Sequence, residues 1–155
     1  MNIIQQYVPT IGVDYGVKGL SFHNRDLRLN LFDLSGHPSF NEVRSEFYKD
    51  AEGALLVYDV NIRSSFELLD NWLKEATRYA APPNMAVVLV GNKTDVNNNA
   101  NNNNNNNRVG YAEAKRWADQ RGFLFVEASA ESGVGVKEAF NLLLEKIIAN
   151  TAKNR

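Results

Sequence analysis

Three polar segments each follow an apolar run in this sequence, and each offers groups that could bind a ligand. Asp33-Leu-Ser-Gly36-His37 follows Leu27–Phe32 and supplies a carboxylate, a glycine and an imidazole. Gly91-Asn92-Lys93-Thr94-Asp95 follows Met85–Val90, and Glu127-Ala-Ser129-Ala130 follows Phe123–Val126. Singly, each is weak. An Asp ending a strand is more often a turn former, and Asn and Asp cap and turn chains with no ligand present. Their shared position gives them weight, because ligands of open α/β sheets bind at the carboxyl ends of the strands.

The elements that would position these segments follow from hydrophobic patterning. Val17–Phe22 and Leu27–Asp33 form a predicted hairpin around the polar turn His23–Asp26. In the second of these strands Leu27, Leu29 and Leu31 alternate with Arg28 and Asn30, as a half-buried strand requires. Ala54–Tyr58, Met85–Val90 and Phe123–Val126 are continuously apolar, the pattern of strands covered on both faces. Between them lie three predicted helices. The first carries Phe66, Leu69, Leu73 and Ala76 at helical steps, with Ser64 or Ser65 as N-cap. The others are Tyr111–Gln120, stopped by Gly122, and Val136–Ala149, with Ala139, Phe140, Leu143, Leu144 and Ile147 inward. Alternating strands and helices predict an α/β domain with a mainly parallel sheet.

Composition excludes several classes. Seventeen basic and eighteen acidic residues give a net charge of −1, so no global field favours nucleic acid or an anionic membrane. The chain has no cysteine, hence no disulfide framework, thiolate metal site, catalytic thiol, or prenyl or palmitoyl anchor. Met1–Thr10 lacks the pattern of a signal peptide, and no apolar run approaches the roughly 20 residues of a membrane span. A soluble, cytoplasmic protein is the expectation. Ten asparagines and one alanine fill residues 97–107. They read as a disordered low-complexity insertion in the loop after Asp95, and setting them aside leaves 144 residues of ordinary sequence.

In this order, the three strand-end segments resemble the nucleotide site of the small GTPases. The likeness extends through Tyr7-Val-Pro-Thr10-Ile-Gly-Val-Asp-Tyr15, similar to the switch I segment of the Rab family, and through Gly53–Val60, Ser65-Phe66 and Asn71-Trp-Leu73. The pair D-L-S-G-H-P and E-F-Y-K-D is most similar to the Rab-like RBJ subgroup, whose members can carry a J domain. The only His-Pro here, His37-Pro38, is followed by Ser rather than by the Asp of a J domain. The resemblance implies an α/β, P-loop NTPase-type G domain that binds GTP or GDP with Mg²⁺. It implies that Asp95 accepts two hydrogen bonds from guanine, a charge-assisted bidentate contact. Lys93 would lie along the base, Asn92 would tie loops together, and the Ala130 N–H would reach the guanine carbonyl with Ser129 bracing its loop. Asp33 and Thr10 would serve Mg²⁺, Thr10 in the triphosphate state. The Gly36 N–H would touch the γ-phosphate, and His37 would stand where the family's water-orienting glutamine does. Effectors and regulators would meet switch I (Thr10–Tyr15) and switch II (Gly36–Phe47), ordered by GTP and released on hydrolysis.

Departures from the family pattern qualify that expectation. G-x-x-x-x-G-K-[ST], the loop that cradles phosphates, occurs nowhere in the 155 residues. The expected domain is therefore a single Rab-like G domain over 1–155 lacking its first strand, phosphate loop and first helix. The missing strand would lie between Leu27–Asp33 and Ala54–Tyr58. Losing about four buried aliphatic side chains forfeits about 6–12 kcal/mol, comparable with the stability of a whole domain. Activity is accordingly expected only with that part supplied, and hydrolysis is expected to be slow with His37. A partner-binding module that holds no nucleotide, or an inert fragment, is the alternative. Glu131 stands where the family has lysine, and Ile3 where an aromatic covers the base. The resemblance places Tyr15, Phe32 and Phe47 in a surface aromatic cluster, whereas aromatics on such elements taken alone read as core. Trp72 and Trp117 also read as core, and Lys115, Arg116 and Arg121 as a solvated face.

Overall fold

The computed structural model describes residues 8–96 and 107–153. The chain divides into two compact units, Met1–Lys49 and Asp50–Arg155, and each is described by itself. The insertion at residues 97–107 lies outside the described residues except for Asn107, and so does Ile3.

In the first unit, β1 (Val13–Phe22) and β2 (Arg25–Leu34) form an antiparallel hairpin in continuous register from Val13–Leu34 to Phe22–Arg25. Its turn is shorter than the sequence suggests. His23 and Asn24 alone bridge the strands, with φ of 49° and 58°, the left-handed pair that matches strand twist. β1 also begins four residues earlier than predicted, because Asp14 and Gly16 interrupt its apolar pattern without interrupting its ladder. Tyr15 and Phe32 are register partners whose rings stack at 5.0 Å, and Phe47 lies 4.9 Å from Phe32. Tyr15 is 53% and Phe32 46% exposed, so these two are surface residues and not core. Alternation divides a strand into two faces without saying which one is covered. A short 3₁₀ turn, Pro38–Phe40, and α1 (Asn41–Ser45) follow.

In the second unit, β3 (Gly53–Asp59), β4 (Ala86–Asn92) and β5 (Leu124–Glu127) form a parallel sheet in the order β3-β4-β5. Every residue from Ala86 to Gly91 is buried, as continuous hydrophobicity requires of a strand covered on both faces. Tyr58, Leu89, Phe66, Leu69, Ala114 and Ala118 pack together with Trp117 and Phe125. Val88, Val90, Val126 and Ala139 pack with Leu55, Val136 and Leu143. Strand residues of alternate parity thus enter two separate cores. The first uses α4 (Tyr111–Asp119), and the second uses α5 (Val136–Lys153), which runs four residues past its predicted end.

The helix predicted from Phe66 to Ala76 is divided. α2 (Arg63–Glu67) and α3 (Leu69–Arg78) meet at Leu68. Neither Ser64 nor Ser65 caps it; Ile62 holds that position without a side-chain bond. The Ser65 hydroxyl instead accepts from the Asp59 N–H at 3.0 Å and donates to the Ile62 carbonyl at 2.6 Å, joining the helix start to the end of β3. Trp72 is only half-buried. Arg121 is more than a solvated residue, since its guanidinium lies 3.9 Å over the Trp117 ring and bonds Asp70 at 2.8 Å. Lys115 pairs with Asp119 one turn on. Among the described residues β2 pairs only with β1, and β3 only with β4.

Gly91 faces Tyr58 in the β3–β4 register, and a Cβ there would come within 2.8 Å of the Tyr58 hydroxyl. That hydroxyl is buried and has no hydrogen-bond partner among the described residues, and burial, with Glu127 nearby, pushes its pKa up. Gly91→Ala is expected to cost about 1–3 kcal/mol through overpacking. Tyr58→Phe is expected to raise stability, because a buried unsatisfied group costs about 1–3 kcal/mol. In urea unfolding the double variant should lose less than the two single effects sum to. Strict additivity, within about 0.3 kcal/mol, would show that the two groups do not meet.

Candidate functional site

The nine residues singled out by sequence fall into two groups, one in each unit. In the second unit β4 ends at Asn92 and runs into Lys93, whose φ of 65° is left-handed. A non-glycine residue there is strained and must be held by its surroundings. The Asn92 side-chain oxygen accepts from the Ala130 N–H at 3.0 Å, and its carbonyl accepts from the Val60 N–H at 3.0 Å. Thr94 donates to the Ala128 carbonyl through both its N–H and its hydroxyl. Ser129 is buried, and its hydroxyl accepts from the Ser132 N–H at 3.0 Å. The loops after β4 and β5 are thereby joined, bringing Asn92, Lys93, Ser129 and Ala130 together, with Asp95 two residues beyond Lys93. The Asp95 carboxylate is exposed, with no hydrogen-bond partner among the described residues.

Behind this loop lies a group of residues that sequence reasoning passed over. Asp59 ends β3, and its carboxylate meets the Lys93 ammonium at 3.0 Å. Asn61 is buried; its side-chain nitrogen donates to the Lys93 carbonyl at 3.1 Å and its oxygen accepts from Arg108 at 2.9 Å. The Asn61 N–H donates to Asp59 at 2.9 Å. Burial raises the Asp59 pKa, but the Asn61 N–H and the Lys93 ammonium outweigh it and bring the carboxyl below its ordinary value. A signal for these residues existed. Asp59-Val-Asn61 directly follows an apolar strand, as the other three segments do, and lacked only a recognisable motif.

In the first unit the Thr10 hydroxyl donates to Asp33 Oδ2 at 2.6 Å. A hydroxyl and a carboxylate side by side are hard oxygen donors suited to Mg²⁺, which takes one or two protein carboxylates and completes its shell with phosphates and water. No larger cluster of metal-ligating side chains occurs among the described residues. The Ser35 N–H donates to the Gly12 carbonyl at 2.9 Å, joining the segment of Thr10 to the segment of Asp33. His37 Nδ1 accepts from the Ser39 N–H at 3.2 Å and caps the 3₁₀ turn. A neutral imidazole with Nδ1 accepting carries its proton on Nε2. In this arrangement the ring can donate to a water but cannot accept from one.

A parallel α/β sheet with N-K-x-D and S-A loops joined at its strand ends defines a domain of the P-loop GTPase type. The Ras family matches residues 2–149, and the chain belongs to that family. It is 40% identical over 150 residues to the DnaJ homolog subfamily C member 27 of Danio rerio, covering 94% of this chain and 52% of that protein. The protein of the same name from Homo sapiens is 39% identical over 151 residues, covering 95% and 53%. DnaJ homolog subfamily C member 27-B of Xenopus laevis is 38% identical over 154 residues. The chain spans about half the length of these curated relatives. No helix among the described residues is long and apolar enough to cross a membrane.

Asn61→Ala removes bonds to two loops at once and should destabilise the second unit by about 1–3 kcal/mol, read by urea unfolding. The Asp59 contribution has a defined pH dependence. A carboxyl whose folded pKa is depressed stabilises above its unfolded pKa and loses that contribution as pH falls through the folded value. The stability gap between the unaltered chain and Asp59→Asn should therefore be full at neutral pH and close in acid, below the ordinary carboxylate range. A gap independent of pH would exclude the Lys93 pair as its source.

Proposed function

We propose that this chain is the greater part of a Rab-like switch domain that binds guanine nucleotide with Mg²⁺ and hydrolyses GTP slowly. The observation that supports it best is the assembled N-K-x-D loop, tied to the S-A loop through Asn92 and Ala130 while the Asp95 carboxylate stays open. Asp95 accepts the ring N–H and amino group of guanine, a donor pair that adenine lacks, and Lys93 lays its methylene stem along the base. Ser129 and Ala130 close the guanine carbonyl side.

Thr10 and Asp33 hold the Mg²⁺, which supplies charge neutralisation at the phosphates. The Gly36 N–H reads the γ-phosphate. His37 can accept a hydrogen bond from the attacking water only after its Nδ1 leaves the Ser39 N–H, which favours slow turnover. The phosphate cradle itself comes from a strand–loop–helix segment that is not among these 155 residues. Effectors and regulators engage Thr10–Tyr15 and Gly36–Phe47, and Tyr15, stacked on the exposed Phe32 of β2, offers apolar area. The compartment is cytoplasmic.

That stack also supports the second reading, a partner-binding module independent of nucleotide. Titration with a fluorescent GDP analogue in Mg²⁺ separates the two, using both the 155-residue chain and the native protein isolated from its source and weighed. The native protein is expected to bind and the chain alone to bind far more weakly. Asp95→Ala in the native protein should weaken binding about a hundredfold or more, since it removes two hydrogen bonds to a charged group, each worth about 1.5–3 kcal/mol. Tight binding by the 155 residues alone would refute the need for a further segment. Binding by neither would leave the partner-binding module.

A further inference from the structure

Arg44 is a charged residue almost wholly removed from solvent, at 4% exposure. It sits in α1, and its Nη1 donates to two carbonyls, that of His37 at 2.8 Å and that of Ser35 at 3.2 Å. These carbonyls flank Gly36. One guanidinium nitrogen therefore closes the turn that presents the Gly36 N–H and starts the His37 cap. Hydrogen bonds from a charged donor to backbone carbonyls are about twice as strong as neutral ones. The Ser35 carbonyl belongs to a buried residue and, left without that donor, would carry the desolvation penalty of an unpaired group, whereas His37 is exposed. The same turn is held on its other side by Ser35, whose N–H donates to the Gly12 carbonyl at 2.9 Å and whose hydroxyl accepts from the His37 N–H at 3.4 Å. All of these contacts lie within the first unit.

We infer that Arg44 is a positioning residue that presets the Ser35-Gly36-His37 turn in the absence of any nucleotide. An order–disorder switch ordinarily draws the order of this loop from the γ-phosphate. Here a side chain nine residues along the same unit supplies two of the turn's hydrogen bonds from within. The loop is then not free to collapse when phosphate is absent, and nucleotide state alters it less than a loop held by ligand alone. The inference rests on the reading of this turn as switch II. Its test uses no nucleotide, so failure of guanine-nucleotide binding and failure of the clamp are told apart.

The experiment is amide hydrogen exchange with imidazole ¹⁵N spectroscopy on the full chain, carrying Arg44→Met or Arg44→Lys. Met keeps most of the aliphatic stem and removes every donor, whereas Lys keeps a charged donor. In Arg44→Met the amides of His37 and Ser39 should exchange at least about tenfold faster, the factor that loss of a hydrogen bond to a charged group implies. The ring of His37, held neutral in alkaline buffer, should pass from one tautomer with Nδ1 unprotonated to a mixture of the two. Arg44→Lys should restore most of both signals, and the ladder from Gly16–Leu31 to Leu20–Leu27 should exchange as in the unaltered chain. Unchanged exchange and tautomer in Arg44→Met would overturn the inference. Equal loosening of the β1–β2 ladder would also overturn it, by showing that Arg44 supports the unit as a whole. If Arg44→Met loses the hairpin entirely, the Lys variant decides: a His37 signature retained with a charged donor supports the clamp, and one lost despite an intact hairpin refutes it.

Discussion

Lys93 stands in a left-handed backbone conformation immediately after a strand that is buried from Ala86 to Gly91. The strand cannot shift, since side chains of both parities are packed into cores on opposite faces of the sheet. The residue that follows must therefore absorb the change of direction, and its strain is offset by what surrounds it. The carbonyl of Lys93 accepts from Asn61 and from the Val96 N–H, and its ammonium meets Asp59. Much of the second unit's polar structure converges on holding this one residue and its neighbours in place. The β3 end, Arg108 beside the insertion, and the loop after β5 all contribute a bond.

The first unit answers a similar demand by different means. Among its described residues the sheet is a two-stranded ribbon with Tyr15 and Phe32 exposed. Such a ribbon is marginal by itself. Polar side chains and backbone groups tie its chain ends together: Thr10 to Asp33, Gly12 to Ser35, and Arg44 to the carbonyls on either side of Gly36. Among the described residues these directional bonds fix the segments of Thr10, Gly12 and Gly36 without a covered apolar core beneath them.

Patterning disclosed the elements more reliably than their limits. Continuous hydrophobicity in Ala54–Tyr58, Met85–Val90 and Phe123–Val126 identified covered strands, because only a two-sided cover makes every position apolar. The hairpin is predicted with its turn too long and its first strand too short, since Arg25 and Asp26 at one end and Asp14 and Gly16 at the other belong to a ladder that depends on backbone bonds and not on side chains. The helix after Arg63 reads as one element from Phe66 and Leu69, yet it breaks at Leu68 as Ser65 turns its hydroxyl to the end of β3. Asp59 and Asn61 carry no motif, and their importance comes from partners 32 to 47 residues away.

The sequence alone determined the family resemblance and the parallel α/β class, and it singled out the candidate ligand-facing groups. Motif and periodicity are local properties, and a covered strand or an N-K-x-D segment leaves its mark in adjacent residues. Tertiary structure decided which aromatics are exposed, which nitrogen of His37 is occupied, that Asp59, Asn61 and Arg108 brace the loop after β4, and that Arg44 bonds the carbonyls on either side of Gly36. Each of those is a matter of which distant group satisfies a hydrogen bond or covers a ring. Long-range pairing of this kind is set when the chain closes on itself, and no short window of residues contains it.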